Sequence, residues 1–285
     1  MFSQAGMVLI SVLTLNIWGL PGAGSLGLAP FREQRIQGIC QELKKAATRP
    51  EGWDAVMLQE VWLKRDRRKL SRCGYRYVVD LNLSGKLIDS GLLILSKHPL
   101  KEAHRLTYPA LPVGSEVFED GEALAAKSAN LVTMVHPGAG EVVIANTHLV
   151  SYYAEGIADK YQRIRLEQFI AFVDWTKKRA GNLPLILGGD FNFGPENREL
   201  WDEKNRRLEN FVVSKQSEEV TTLSANNSFQ EEDQDRVDHL LASPHFESRF
   251  GMLAMEKRIG AEGTDINLSD HFGWTEVFEI EAQPQ

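Results

Sequence analysis

Short apolar runs that end in polar residues recur along the chain, and their spacing predicts its elements. Met7-Val8-Leu9-Ile10-Ser11-Val12-Leu13-Thr14-Leu15 reads as a buried first strand that runs directly into Asn16. A second buried strand over residues 53–60 ends in Gln59-Glu60, and strand-like segments follow at 75–79 and 91–95. Residues 127–135 and 141–146 read as a hairpin turned at His136-Pro137-Gly138. The apolar run 183–187 leads into Gly188-Gly189-Asp190-Phe191-Asn192, and further strands are expected at 237–241, 252–255 and 272–280. Helical spacing places Ile36, Ile39, Cys40 and Leu43 on one stripe. Residues 64–70 make a short basic helix. The longest helix is expected over 159–178, with Ile164, Phe169, Ile170 and Val173 on its apolar face and Lys177, Lys178 and Arg179 at its C-terminal dipole. Pro195-Glu196 signals a further helix start, so 198–209 is expected as helix and loop. Strands at both ends with a helix in each half predict an α/β fold, a two-layer sheet core flanked by helices, in a single domain over residues 1–285.

Composition narrows the partners. The net charge of −7 supplies no global basic field to draw in nucleic acid or anionic lipid, so nucleic acid is an unlikely partner. Two cysteines, Cys40 and Cys73, make no disulfide framework and are expected as free thiols in a reducing compartment. The apolar start lacks a basic n-region and a small-residue cleavage site, so no signal peptide is expected. No window reaches the ~18 apolar residues of a membrane span. A cytoplasmic or peripheral membrane protein, monomeric and without a transmembrane segment, is the expectation.

The polar residues that close the strands carry the chemistry. Asp190 and Asn192, two residues apart at a strand mouth, share a face and can point at one ligand, and the glycines before them leave room for a close approach by backbone or phosphate. Asn16, Gln59-Glu60, Asn146-Thr147-His148, Asp238 and Ser269-Asp270-His271 hold comparable positions. Each has an ordinary role open to it: a turn residue, a solvated edge, a structural histidine, or an Asp238 paired with Arg236. A whole set of such residues, each at a strand mouth, points instead to one site. Cysteine and histidine show no zinc spacing.

The ordered set Asn16, Gln59-Glu60, Thr147-His148-Leu149, Gly189-Asp190-Phe191-Asn192, Arg236-Val237-Asp238 and Ser269-Asp270-His271 resembles the endonuclease/exonuclease/phosphatase superfamily. Asn16-Ile17-Trp18-Gly19-Leu20-Pro21, Gln59-Glu60-Val61-Trp62, Asp89-Ser90-Gly91-Leu92, Ser96-Lys97-His98-Pro99 and Ala126-Lys127-Ser128-Ala129 make the neutral sphingomyelinases its most similar branch. The resemblance spans roughly residues 8 to 279 and implies a four-layer α/β sandwich, two packed mixed β-sheets flanked by helices.

The resemblance also implies roles. Glu60 and Asn16 would be the metal-binding pair, a sparse oxygen site suited to Mg²⁺ with Mn²⁺ or Co²⁺ as substitutes, and Asp270 would serve a second metal or water. His271 would be the general base, with Asp238 fixing its tautomer. Asp190 would orient the attacking water, Asn192 would donate to a phosphate oxygen, and His148 would hydrogen-bond the phosphoryl oxygens as charge accumulates. Lys127 would meet substrate phosphate or a neighbouring acid; Glu122, five residues earlier, is where some members carry an acid tied to switching. The implied reaction is phospholipase C-type cleavage of sphingomyelin, or a related choline phospholipid, to ceramide and phosphocholine by in-line attack of water.

Reaching a phospholipid in a bilayer requires an interfacial surface. Secreted bacterial members are known for an aromatic hairpin just before the final Ser-Asp-His, whereas this chain has Lys257-Arg258-Ile259-Gly260-Ala261-Glu262-Gly263-Thr264-Asp265 there. Trp18 and Leu20, in an apolar loop that continues to Leu28, could enter the interface shallowly or cap the core. The run Lys64-Arg65-Asp66-Arg67-Arg68-Lys69 would favour an anionic surface or form a solvated helix face. Tyr152 and Tyr153 could box a choline headgroup through cation–π contact, or be ordinary loop aromatics. A metal-dependent nuclease and a phosphatase for inositol phosphates are rivals on the same scaffold. Both call for more Lys and Arg around the site.

Overall fold

The first strand, β1 (Met7–Asn16), is buried at every position from Ile10 onward, as a central strand covered on both faces must be. The computed structural model describes residues 6–20, 22–23, 26–82, 89–109, 125–151, 158–232 and 235–283. Two two-residue strands, β2 (Gly22–Ala23) and β3 (Leu26–Gly27), form a ribbon in the loop after β1. β1 pairs in parallel with β4 (Ala55–Gln59), which pairs with β6 (Leu93–Ser96) and through it with β5 (Tyr77–Val79). A second sheet contains β7 (Leu100–Thr107), β8 (Ser128–His136), β9 (Gly140–His148), β10 (Leu185–Asp190) and β11 (Asp238–Ala242), adjacent in that order. β12 (Glu247–Ala254) and β15 (Gly273–Glu281) return to the first sheet, whose order is β12-β15-β1-β4-β6-β5. Between them β13 (Arg258–Ala261) and β14 (Thr264–Asn267) form a two-stranded sheet.

The sheets pack face to face. Ile10, Val12, Met57 and Ile94 of one meet Val132, Ile144, Ile186 and Leu240 of the other, with Trp274 and Phe278 filling the same layer. Helix α1 (Arg32–Thr48) lays Ile36, Ile39 and Leu43 over Leu13, Leu15 and Leu58, and α2 (Lys64–Leu70) adds Leu70 to that cluster. On the far side α3 (Ala158–Ala180) packs Phe169, Phe172 and Val173 on Val143, Ala145 and Leu187, with Leu200 of α4 (Arg198–Arg207) beside them. Burying each such side chain contributes on the order of 2 kcal/mol, so the helices are held by their apolar faces more than by propensity. Helix, sheet, sheet, helix is the four-layer α/β sandwich that the resemblance implied.

Two departures from the sequence reading have clear causes. Cys40 and Cys73, expected as free thiols, are joined in a disulfide with their Cα atoms 5.2 Å apart. Only the packing of α2 against α1 brings residues of such separation together, and spacing in sequence could not show it. The inference from free thiols to a reducing compartment therefore loses its footing. Strand β7, absent from the expectation, is an edge strand in which most side chains stay partly exposed, so its residues Leu100–Thr107 lack a run of buried positions to read. Among the described residues no helix is long and apolar enough to cross a membrane.

Candidate active site

Strand register assembles the site. His148 ends β9, Asp190 ends β10, and the two are paired; Asp190 is in turn paired with Asp238 at the start of antiparallel β11. Cross-strand partners point to the same face, so three polar side chains stand in a row at one rim of the second sheet. In the first sheet Asn16, the last residue of β1, pairs with Gln59, the last of β4. The glycines before Asp190 admit backbone: a Cβ on Gly188 would lie 2.1 Å from the carbonyl oxygen of His239, and one on Gly189 2.0 Å from that of Thr147.

Hydrogen bonds then cross from sheet to sheet. Gln59 Nε2 donates to Thr14 Oγ1 at 3.0 Å and to Asn146 Oδ1 at 2.8 Å. Asn146 lies two residues before His148, on the same face of β9, so this pair ties the sheets just beneath the rim. Above it, Asn16 Nδ2 donates to Glu60 Oε1 at 3.1 Å and to Asp190 Oδ2 at 2.9 Å. The side-chain Oδ1 of Asn16 accepts from the Trp18 backbone N–H at 2.9 Å. Glu60 turns out of β4 with φ 59°, the left-handed region, and its Oε2 accepts from Trp62 Nε1 at 3.3 Å.

On the other side of Asp190, His271 Nδ1 donates to Asp238 Oδ2 at 2.8 Å, leaving Nε2 as the ring's other end. Arg236 does not pair with Asp238; its guanidinium donates to the Ser217 carbonyl and meets His239 Nδ1 at 3.1 Å. Lys127 Nζ donates to His148 Nε2 at 2.8 Å and to the Leu149 carbonyl at 3.0 Å. His148 Nε2 also lies 3.5 Å from Asp190 and 4.0 Å from Glu60. Asn192, at φ 54°, donates its Nδ2 to Leu149 O at 3.0 Å, and its backbone N–H donates to Asp190 Oδ1 at 2.8 Å.

Burial and crowding of like charge set the protonation. Glu60 is pushed up to about 7, first by burial and then by the charge of Asp270. Asp190 rises to about 6 by burial and by Asp238. Asp270 is raised by burial. Burial alone would lower His271, but Asp238 and Asp270 outweigh it and hold the imidazole well above its ordinary value. His148 is driven the other way, by burial and then by the Lys127 charge, and stays neutral.

Asn16, Glu60, Lys127, His148, Asp190, Asn192, Asp238, Asp270 and His271 thus converge. Trp18 does not project: its ring lies edge-on to Phe229 at 5.0 Å and under the Arg35 guanidinium at 4.9 Å. Leu20 is half-buried, and Leu28, further along this loop, is 72% exposed. Tyr152, Tyr153 and Glu122 lie outside the described residues. The sequence reading passed over Arg35, which is fully buried and donates to the carbonyls of Ile17 at 2.9 Å and Trp18 at 2.8 Å, fixing the loop after β1. Its signal was present: Arg35, Ile39 and Leu43 share a spacing of four, so a cation continues an apolar stripe. Trp62, quoted in a motif but given no role, lies with its ring 5.9 Å from that of His148.

Glu60, Asp190 and Asp270 offer hard oxygen donors, each a carboxyl raised by its burial. A divalent ion of the magnesium type fits that donor set. The sequence matches the Endonuclease/Exonuclease/phosphatase family over residues 13–271, from within β1 to the rim histidine itself. The chain belongs to the endonuclease/exonuclease/phosphatase family.

Within this family the chain is similar to the inositol phosphosphingolipids phospholipase C of Schizosaccharomyces pombe, at 26% identity over 96% of this chain and 69% of the relative. It is also similar to sphingomyelin phosphodiesterase 2 of Homo sapiens, at 27% identity, over 66% of this chain and 42% of the relative. The chain therefore spans less than half the length of that human relative. A mutant of beta toxin from Staphylococcus aureus, solved with bound magnesium ions, shares the fold with a TM-score of 0.69 at 17% identity, covering 94% of this chain and 99% of that one.

Proposed function

We propose that this chain is a Mg²⁺-dependent phosphodiesterase of the phospholipase C type, which cleaves sphingomyelin to ceramide and phosphocholine. The observation that carries the reaction is the His271–Asp238 pair at 2.8 Å, set beside Asp190 on one rim with Glu60 and Asn16 facing it from the other sheet. The substrate class rests on the two relatives, both named for phosphosphingolipid cleavage. The S. pombe name supports an inositol headgroup as the second reading.

Asp238 holds His271 Nδ1 protonated, so in the enzyme whose imidazole is neutral Nε2 is the atom that takes the proton from water. Asp190, anchored by Asn16 and by the Asn192 backbone, is the acceptor that aims this water at phosphorus. Lys127 presents a cationic donor to the phosphoryl oxygens with the neutral His148 beside it, and Asn192 supplies a second, neutral donor. Glu60 and Asp270 hold the metal, with Asn16 keeping the Glu60 carboxylate in place. When bound, Mg²⁺ polarises a phosphoryl oxygen and neutralises charge that builds on the leaving oxygen. The lipid is met at a membrane surface, with the exposed Leu28 of the loop after β1 as an apolar contact.

Purified protein with Mg²⁺, tested against sphingomyelin vesicles, inositol phosphosphingolipid vesicles, plasmid DNA and inositol phosphates, checks this reading. Phosphocholine release that is lost in Glu60→Ala and His271→Ala, with solvent ¹⁸O entering phosphocholine, is the expected result. Comparable turnover of DNA, or label in ceramide, overturns it.

A further inference from the structure

The outer helical layer holds a groove of about 410 Å³ between α1 and α2. Lys44, Arg65, Arg68, Lys69 and Arg72 line it, with Gln37 at its edge, and no carboxylate shares the lining. In a chain of net charge −7 this concentration is not a sample of the overall composition. We infer that this groove is a binding site for a multiply charged phosphoryl anion, a pyrophosphate or phosphomonoester group, separate from the rim of Glu60 and His271.

Of the surrounding acids among the described residues, only Glu33 meets a residue of the groove, Arg65. Asp66 is taken by the buried Arg32, and Asp80 by Arg67 at 3.2 Å. Glu42 serves both Lys45 and Lys257 at 3.0 Å. Glu33 reaches Arg65 at 3.5 Å and Arg32 at 3.6 Å. Lys44, Arg68, Lys69 and Arg72 have no ion-pair partner among the described residues. Arg65 stands three and four residues before Arg68 and Lys69, and Arg72 four and three after them, so like charges neighbour one another along α2 and the turn after it, which destabilises a helix unless an anion lies among them. Arginine forks match phosphoryl oxygens and keep their charge at every working pH.

The groove is also fixed in width. Cys40, on α1, lines it and is bonded to Cys73 in the turn that follows α2, so the two walls cannot drift apart. A site held open in advance loses less freedom on binding. Its volume falls within the ordinary range for small-molecule sites.

Titration calorimetry with pyrophosphate, in the absence of divalent cations, tests this site directly. Wild type and Glu60→Ala bind; the double variant Arg68→Ala/Arg72→Ala, both exposed positions, binds at least roughly tenfold more weakly, and its thermal midpoint matches wild type. Sedimentation with phosphatidylcholine vesicles, with and without phosphatidic acid, distinguishes the sources. Capture by phosphatidic acid that the double variant loses assigns a lipid headgroup, and pyrophosphate binding without capture assigns a soluble phosphate. Equal pyrophosphate binding in the double variant, loss of binding in Glu60→Ala, or no binding to either probe overturns the site. None of these readouts requires turnover, so the inference stands or falls apart from the hydrolase reading.

Discussion

At the scale of single residues, the rim works by holding groups in states that water would not give them. Asp238 is fully buried and its Oδ2 is spent on His271 Nδ1. Replacing it with Asn keeps the shape but can present an amide N–H to that nitrogen, favouring the tautomer that protonates Nε2. Asp238→Asn should therefore lower kcat for sphingomyelin by roughly 10³–10⁴, with KM little changed, in a steady-state assay with Mg²⁺. A drop of less than tenfold removes Asp238 from the mechanism. Gly91 supports the rim from below: its φ is +65°, and a Cβ there would lie 2.7 Å from the Trp62 ring, whose indole N–H reaches Glu60. Gly91→Ala should cost about 1–3 kcal/mol in urea unfolding, from left-handed backbone strain plus the clash, and should weaken activity by displacing Trp62. Unchanged stability would mean that the indole moves aside freely.

At the scale of elements, α2 and its turn are secured by one covalent link. Four of the seven residues of α2, Lys64–Leu70, remain at least partly exposed, and a helix so short has little stability alone. Joining Cys40 to Cys73 closes a loop across a sequence separation of 33, and in the chain-entropy account this restricts the unfolded chain by about 3–4 kcal/mol. Reducing agent, or Cys40→Ala/Cys73→Ala, should lower the thermal midpoint by several degrees in calorimetry; no shift would show the bond to contribute nothing. The sequence displayed such elements unequally. Strands that alternate apolar residues or run wholly buried, as β1, β4 and β9 do, announce themselves, and so does each polar residue that closes one. Asp190 was legible in the same way, although β10 carries it as its last residue and not beyond its end. What pairs with what was not legible. The row His148, Asp190, Asp238 is a fact of register between strands far apart in sequence, and the meeting of Gln59 with Asn146 is a fact of two sheets stacking. Edge strand β7 and the β13–β14 ribbon have little buried surface, so periodicity had little to mark them.

At the scale of the whole molecule, acid and base are segregated by layer. The negative groups that matter gather at the rim between the sheets, while a second set of cations is buried on the outer side of the second sheet, behind the rim. Lys204 of α4 is 5% exposed and lies 3.5 Å from the centre of the Trp201 ring, with Asn205 Oδ1 accepting from its Nζ at 3.3 Å. Burial, then the neighbouring Arg236, lowers it from 10.5 to about 7, with Glu218 opposing only in part. Above pH 7 the folded chain therefore sheds a proton that the unfolded chain keeps until about 10.5. Stability must rise with pH across that window, by up to ~1.4 kcal/mol per pH unit for one proton. Urea unfolding at about pH 7 and about pH 9 should show the native protein gaining stability relative to Lys204→Met. Methionine keeps the contact with Trp201 and has no proton to lose, so its profile lacks this slope. If the two profiles run parallel, Lys204 is charged in the folded state at neutral pH, and the ring face together with Glu218 compensates its burial in full.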